Sequence, residues 1–230
     1  MSIFRTSAGV LLAAAAASAA PPDNVDATGT TPTGTRDAAA SPGDASPAEG
    51  VSFFETPIAE RRLLLVLDHS KSMLSKADGK TRLTRLREEV DRLFGRLDEY
   101  HYIDVHCFND RLAVWNRRVV PCSDENLADA TAFILRQRAR GQTATYDALQ
   151  SALVESDEQG VQRIIFVTDG EPTLGTVTHP GEILRRLKLQ NREMRVPIDV
   201  LAFDTARYPA RAAFMRRLAS DHGGRFVPIE

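Results

Sequence analysis

The stretch LLLVLDHSKSM, residues 63–73, decides the fold and raises the functional question at once. Leu63 to Leu67 is a continuous aliphatic run, the pattern of a parallel strand covered on both faces. Directly after it come Asp68, Ser70 and Ser72, oxygen-bearing side chains at every second position. As the chain leaves a strand, that alternation turns three oxygens toward one point. A lone Asp-x-Ser-x-Ser is usually a turn or a cap that satisfies its own backbone, so the remainder of the chain has to decide what these oxygens are for.

Working outward, the chain alternates helix and strand signals after a short lead-in at Val51 to Ile58. Leu83, Leu86, Val90, Leu93, Phe94 and Leu97 recur at three- and four-residue steps, which predicts an amphipathic helix. Tyr102 to Phe108 reads as a strand, and the turn signal Asn109-Asp110 sends it back antiparallel through Leu112 to Val120. Helices are expected from Asp124 to Arg138, with Leu127, Ala130, Ile134 and Leu135 inward and Gly141 closing it, and again from Thr145. Ile164 to Val167 is a strand. Thr178 and Pro180 open a helix as N-cap and first residue, Ile198 to Phe203 is a strand, Arg211 to Ala219 a helix, and Arg225 to Ile229 the last strand. The sum is a doubly wound α/β fold: a mostly parallel central sheet with one antiparallel edge strand and helices on both faces. Such sheets bind ligands outside the carboxyl ends of their strands.

Composition narrows the function. The chain has 230 residues, 43% of them hydrophobic, enough for one cored domain. Its 29 Lys and Arg against 31 Asp and Glu leave a net charge of -2, so no broad positive field exists for a phosphate backbone and nucleic acid is excluded as a partner class. The cluster Arg185, Arg186 and Lys188 reads as the wet face of a helix carrying Ile183, Leu184 and Leu187 on the other side. Residues 1–20 have the form of a secretory signal: Arg5, an apolar run Ala8 to Ala17, and Ala17-Ser18-Ala19 as a cleavage site. The apolar run is shorter than the ~20 residues of a membrane span. Residues 21–58 read as a disordered Pro/Thr/Ala-rich linker, and 59–230 as the domain, which places the protein outside the cytoplasm, secreted or at a periplasmic or cell-surface location. Cys107 and Cys122 form an even pair, which permits a disulfide in that setting. The antiparallel run between them argues against it by separating them beyond the ~7 Å Cα limit.

Two further oxygens arrive at the same edge of the sheet. Asp169, in VTDGEP, follows the strand ending at Val167, and Thr143, in GQT, sits on a loop entering a helix. Two carboxylates and three hydroxyls, with no Cys or His at ligand spacing, make a hard-oxygen donor set suited to Mg²⁺ or Mn²⁺. His69 reads as an exposed loop residue, and Glu171 and His179 as rim or solvated loop. The series DxSxS after a hydrophobic strand, then GxT, then TDG, together with TYDALQSAL and RRLASDHGGRFV, resembles the von Willebrand factor type A domain with a metal-ion-dependent adhesion site. The resemblance covers about residues 60–230. It implies that Ser70, Ser72 and Thr143 contact the ion, that Asp68 and Asp169 act largely through water, and that a partner protein supplies a carboxylate to the remaining position. Where the family often has an apolar residue and a glycine around the first serine, this chain has His69 and Lys71; Lys71 either opposes the cation or hydrogen-bonds an acidic partner.

The resulting expectation is a non-enzymatic, secreted adhesion module that holds Mg²⁺ and binds an acidic group of a protein partner. Two alternatives stand beside it. A strand-end aspartate near Mg²⁺ also describes haloacid-dehalogenase-type phosphatases, but Ser70 occupies the position of their second aspartate. Type A domains also occur as intracellular assembly subunits of ATPase systems, which a cleaved amino terminus near residue 20 would argue against.

Overall fold

The computed structural model describes residues 50–230; the signal-like segment and residues 21–49 of the linker lie outside the described residues. The strands are β1 (Ser52–Phe53), β2 (Thr56–Pro57), β3 (Arg62–Asp68), β4 (Lys76–Ala77), β5 (Lys80–Thr81), β6 (Tyr102–Phe108), β7 (Leu112–Val114), β8 (Val120–Pro121), β9 (Arg163–Thr168), β10 (Ile198–Phe203) and β11 (Phe226–Ile229). The helices are α1 (Arg82–Phe94), α2 (Asp124–Arg136), α3 (Thr145–Gln159), α4 (Pro180–Gln190) and α5 (Pro209–Asp221). Each sequence-expected helix and parallel strand is present within a few residues of its expected bounds.

The main sheet runs in the order β11-β10-β9-β3-β6-β7, with β8 also pairing β6. β3, β6, β9, β10 and β11 pair in parallel, and only β7 and β8 run antiparallel. β3 is central, and the chain moves to opposite sides of it, first to β6 and later to β9. Strand order therefore reverses at the crevice between β3 and β9, where doubly wound sheets bind ligands. Alternation along β3 assigns the two faces. Leu63, Leu65 and Leu67 pack with Leu86, Val90 and Leu93 of α1 and with Ala130 and Ile134 of α2. Leu64 and Val66 face Leu149 and Leu153 of α3, Ile183 and Leu187 of α4, and Met215 and Leu218 of α5. Arg185 and Arg186 of α4 pair with Glu182 on its wet face.

Four details differ from the sequence reading. Residues 51–58, placed there at the end of the linker, form the β1–β2 hairpin, which packs Phe53, 1% exposed, into the α1 side of the core. Local composition looked linker-like because a two-residue strand has no periodicity to detect. The antiparallel edge is two short strands, since the chain leaves the ladder near Arg117, in the left-handed region at φ 61°, before β8 rejoins the start of β6. Helix α2 ends at Arg136 because Gln137 is extended, so Gly141 turns the following loop rather than closing the helix. Leu135 points outward, 55% exposed, while Ile134 is buried. Cys107 and Cys122 are both free and buried, at opposite ends of β6.

If the hairpin belongs to the domain, Phe53→Ala leaves a cavity beside α1 and should cost about 3 to 5 kcal/mol. Denaturant midpoints measure it, and a change below about 1 kcal/mol would show the hairpin to be dispensable.

Candidate functional site

Asp68 ends β3 and is fully buried. Its Oδ1 accepts from the Ser70 amide at 2.6 Å and its Oδ2 from the Thr168 hydroxyl at 2.6 Å. Register explains the second bond: Leu67 lies opposite Val167, so Asp68 and Thr168 are the next neighbours across the crevice. Ser70 to Leu74 then turn tightly, with Lys71–Leu74 as a 3₁₀ segment. That turn sets Ser70 Oγ 2.9 Å from Ser72 Oγ, and Ser72 Oγ donates to Asp169 Oδ1 at 2.7 Å. Four of the five sequence-selected residues thus stand in one patch, joined by hydrogen bonds across 100 residues of chain.

Thr143 reaches the patch by backbone zippering. The Arg140 amide bonds the His69 carbonyl and the Lys71 amide bonds the Gly141 carbonyl, so the 137–143 loop lies along residues 69–71. Thr143 is buried; its amide donates to the Thr173 hydroxyl at 3.1 Å and its carbonyl accepts from the Thr173 amide at 3.0 Å. Its hydroxyl lies 3.1 Å from the position a Cβ would take at residue 170. A side chain there would press on that oxygen, which is why TDG needs its glycine.

Two residues were missed or misplaced by the sequence. Arg82, the first residue of α1, is 5% exposed, and its guanidinium ion-pairs with both Asp169 and Asp204 and donates to the Ser72 carbonyl at 3.2 Å. It looked like one more surface arginine in TRLTRLREE; no local pattern marks it. His69 is a correction: it is 1% exposed, not an exposed loop residue. Its Nδ1 bonds the Leu67 carbonyl at 3.2 Å, and burial pushes its pKa down to about 4. Strand-like alternation carries it to the face opposite Asp68 and Ser70. Glu171 and His179 are exposed, Glu171 lying 3.7 Å from Arg211.

Electrostatically, the patch is a pair of sealed carboxylates. Burial first, and then the charge of Asp169, push the Asp68 carboxyl up to about 7, against the hydrogen bonds from Thr168 and Ser70. Arg82 offsets Asp169 but does not touch Asp68. All the converging side-chain donors at the strand ends are oxygens, a set that fits Mg²⁺ or Mn²⁺ and fits zinc or copper poorly.

Replacing Arg82 by Met keeps its bulk and strands two carboxylates, so Arg82→Met should cost about 3 to 5 kcal/mol in chelator; a loss below about 1 kcal/mol would show that Asp169 does not depend on the pair. Because the folded pKa of Asp68 is raised, its contribution to stability is present at low pH and disappears as pH rises through about 7. Asp68→Asn carries no such titration. In chelator its stability relative to wild type should therefore increase from pH 5 to pH 8, and a constant difference in thermal midpoint would refute the assignment.

With the geometry established, comparison with known proteins places the domain. The profile of the von Willebrand factor type A domain matches residues 63–171, from β3 through the turn after β9. The chain is 26% identical to inter-alpha-trypsin inhibitor heavy chain H4 of Bos taurus over 174 residues, covering 71% of this chain and 18% of that protein. It is 28% identical to the human heavy chain H4 over 173 residues, again 71% and 18%. The chain therefore spans less than a fifth of the length of these relatives. Among solved structures, a von Willebrand factor type A protein from Catenulispora acidiphila superposes with a TM-score of 0.61 at 17% identity, over 76% of this chain and 39% of that one. A D319A mutant of the PilB minor pilin from Streptococcus sanguinis gives 0.58 at 15% identity, over 76% and 59%. At these identities the structural likeness speaks for the fold. The profile match and the sheet order agree with the fold of these neighbours: over the matched residues, this chain carries a von Willebrand factor type A domain.

Proposed function

We propose that Asp68, Ser70, Ser72, Thr143 and Asp169 hold Mg²⁺, or Mn²⁺, and that the domain binds an acidic group of a protein partner through that ion, outside the cytoplasm. The observation that carries this reading is the continuous chain from Asp68 through Ser70 and Ser72 to Asp169 at the β3–β9 crevice, with the Thr143 hydroxyl over Gly170. An ion bound there would supply an electrophilic point for a partner carboxylate. The chain's own residues supply the rest: Thr168 fixes the Asp68 carboxylate and Arg82 fixes Asp169.

The surroundings suit an acidic partner. A groove of about 320 Å³ runs beside His69 and Asn109 and is lined by Arg111, Arg136, Arg138 and Arg140. These arginines and Lys71 are exposed, and none forms an ion pair among the described residues. Lys71 reads best as part of this basic rim. A larger groove, about 550 Å³, lies away from the crevice between Phe54, α1 and the end of β11 and mixes both charges. A nucleophilic role for the serines is disfavoured because His69, the adjacent imidazole, is committed to the Leu67 carbonyl. None of the described helices is long and apolar enough to cross a membrane.

Magnesium titrated into chelated protein should bind saturably and raise stability by about 2.7 kcal/mol at a hundredfold excess over Kd, an effect lost in Asp68→Ala. Capture of partner from the native medium should follow Mg²⁺ and fail in chelator or in the presence of an acidic competitor peptide. No binding by wild type, or equal binding by Asp68→Ala, would overturn the reading. Export is checked separately by an amino terminus found near residue 20.

A further inference from the structure

Three buried side chains have no part in the strand-end patch. Asp104 and His106 lie two residues apart on β6 and so project from one face of the sheet, while Glu155 comes from α3. Asp104 and His106 are 0% exposed and Glu155 8%. One donor atom from each lies within 4.8 Å of the other two. Their bonding is incomplete. His106 Nε2 contacts Glu155 Oε2 at 2.8 Å, and Asp104 Oδ1 accepts from the Val105 and Asn116 amides at 2.6 and 3.0 Å. Asp104 Oδ2, His106 Nδ1 and Glu155 Oε1 are buried with no partner among the described residues. Nor does any arginine or lysine pair with either carboxylate among those residues, unlike Asp199, which Arg163 and Arg225 clamp.

We propose that Asp104, His106 and Glu155 form a second, separate cation site, one that takes zinc. A buried pair of carboxylates needs two positive charges, and a divalent ion supplies both while leaving the imidazole neutral. A proton shared by the carboxyls satisfies at most two of the three orphaned atoms. One imidazole nitrogen with two carboxylate oxygens is a borderline donor set, accepted by zinc and poorly matched to magnesium. Ligands at roughly 2.0–2.2 Å from a tetrahedral ion stand about 3.3 Å apart. The His106–Glu155 contact is already inside that separation, and the 4.8 Å limit leaves only side-chain adjustment. Zinc held there ties α3 to the last parallel strand, stabilising the domain without touching the partner-binding edge.

The test uses the full chain in excess Mg²⁺, which fills any oxygen-only site, followed by zinc calorimetry and elemental analysis. One zinc per chain is expected in wild type and in Ser72→Ala. Asp104→Asn and Glu155→Gln preserve side-chain volume, and each should lower zinc affinity at least a hundredfold with the far-ultraviolet circular dichroism unchanged. X-ray absorption of the zinc-loaded wild type should show one imidazole nitrogen among oxygens, and it decides alone if the variants do not fold. Absence of stoichiometric zinc in wild type, undiminished zinc in the folded variants, or a sulfur-containing or multi-imidazole shell overturns the proposal.

Discussion

Sealing two aspartates in one crevice is the constraint on which the rest of the strand-end structure depends. Asp68 and Asp169 stand at the carboxyl ends of adjacent parallel strands, 0% and 2% exposed, where unpaired charge is costly. Several features around them serve to offset that cost. Thr168 and the Ser70 amide donate to Asp68, Ser72 donates to Asp169, and Arg82 is drawn from the start of α1 into the protein to meet Asp169 and Asp204. The compensation remains incomplete: three aspartates face one arginine. With all three ionised, two negative charges are left uncompensated, a magnitude that one divalent cation matches.

The same fold handles buried acid in contrasting ways. On β10, Asp199 is gripped by Arg163 on one oxygen and by Arg225 on the other, and Arg163 continues to Glu60. Those carboxylates are fully occupied, so that cluster is structural, joining β9, β10 and the entry to β11. Asp104 and Glu155 have only His106 beside them and no guanidinium. The number of guanidinium groups assigned to each acid cluster thus separates a mechanical fastening from a place with remaining capacity for a cation.

Much of this architecture was legible because periodicity reports burial directly. The aliphatic run at 63–67 and the three- and four-residue steps of α1 fixed the layers, and their sum fixed which strand ends face the crevice. Asp68, Ser70, Ser72 and Asp169 could be selected because each follows a recognisable strand. Arg82 could not, since an arginine at the first turn of an amphipathic helix has the same local signature whether it faces water or a carboxylate 87 residues away. His69 was misjudged because polar neighbours suggested a loop, while backbone alternation sent its ring inward. Asp104 and His106 carry no local signature of a cluster, because the third member, Glu155, is brought against them by α3 from 49 residues away.

On the proposed function, partner selection would follow from how the crevice and its rim divide the work. A cation at the strand ends would reward any accessible carboxylate equally, because a point charge carries little shape information. Arg111 in the β6–β7 turn, Arg136 at the end of α2, and Arg138 and Arg140 in the loop that follows are spread along the adjoining groove, and each forked guanidinium can hold a carboxylate in a defined orientation. A partner bearing a run of acids spaced to that groove would gain at several positions, whereas an isolated carboxylate gains at one. Exposed arginines are screened by salt much more than a buried ion contact is. On the proposed function, affinity at the crevice and discrimination along the rim would therefore respond differently to ionic strength, and the basic rim, more than the oxygen cluster at the strand ends, would distinguish one acidic protein from another.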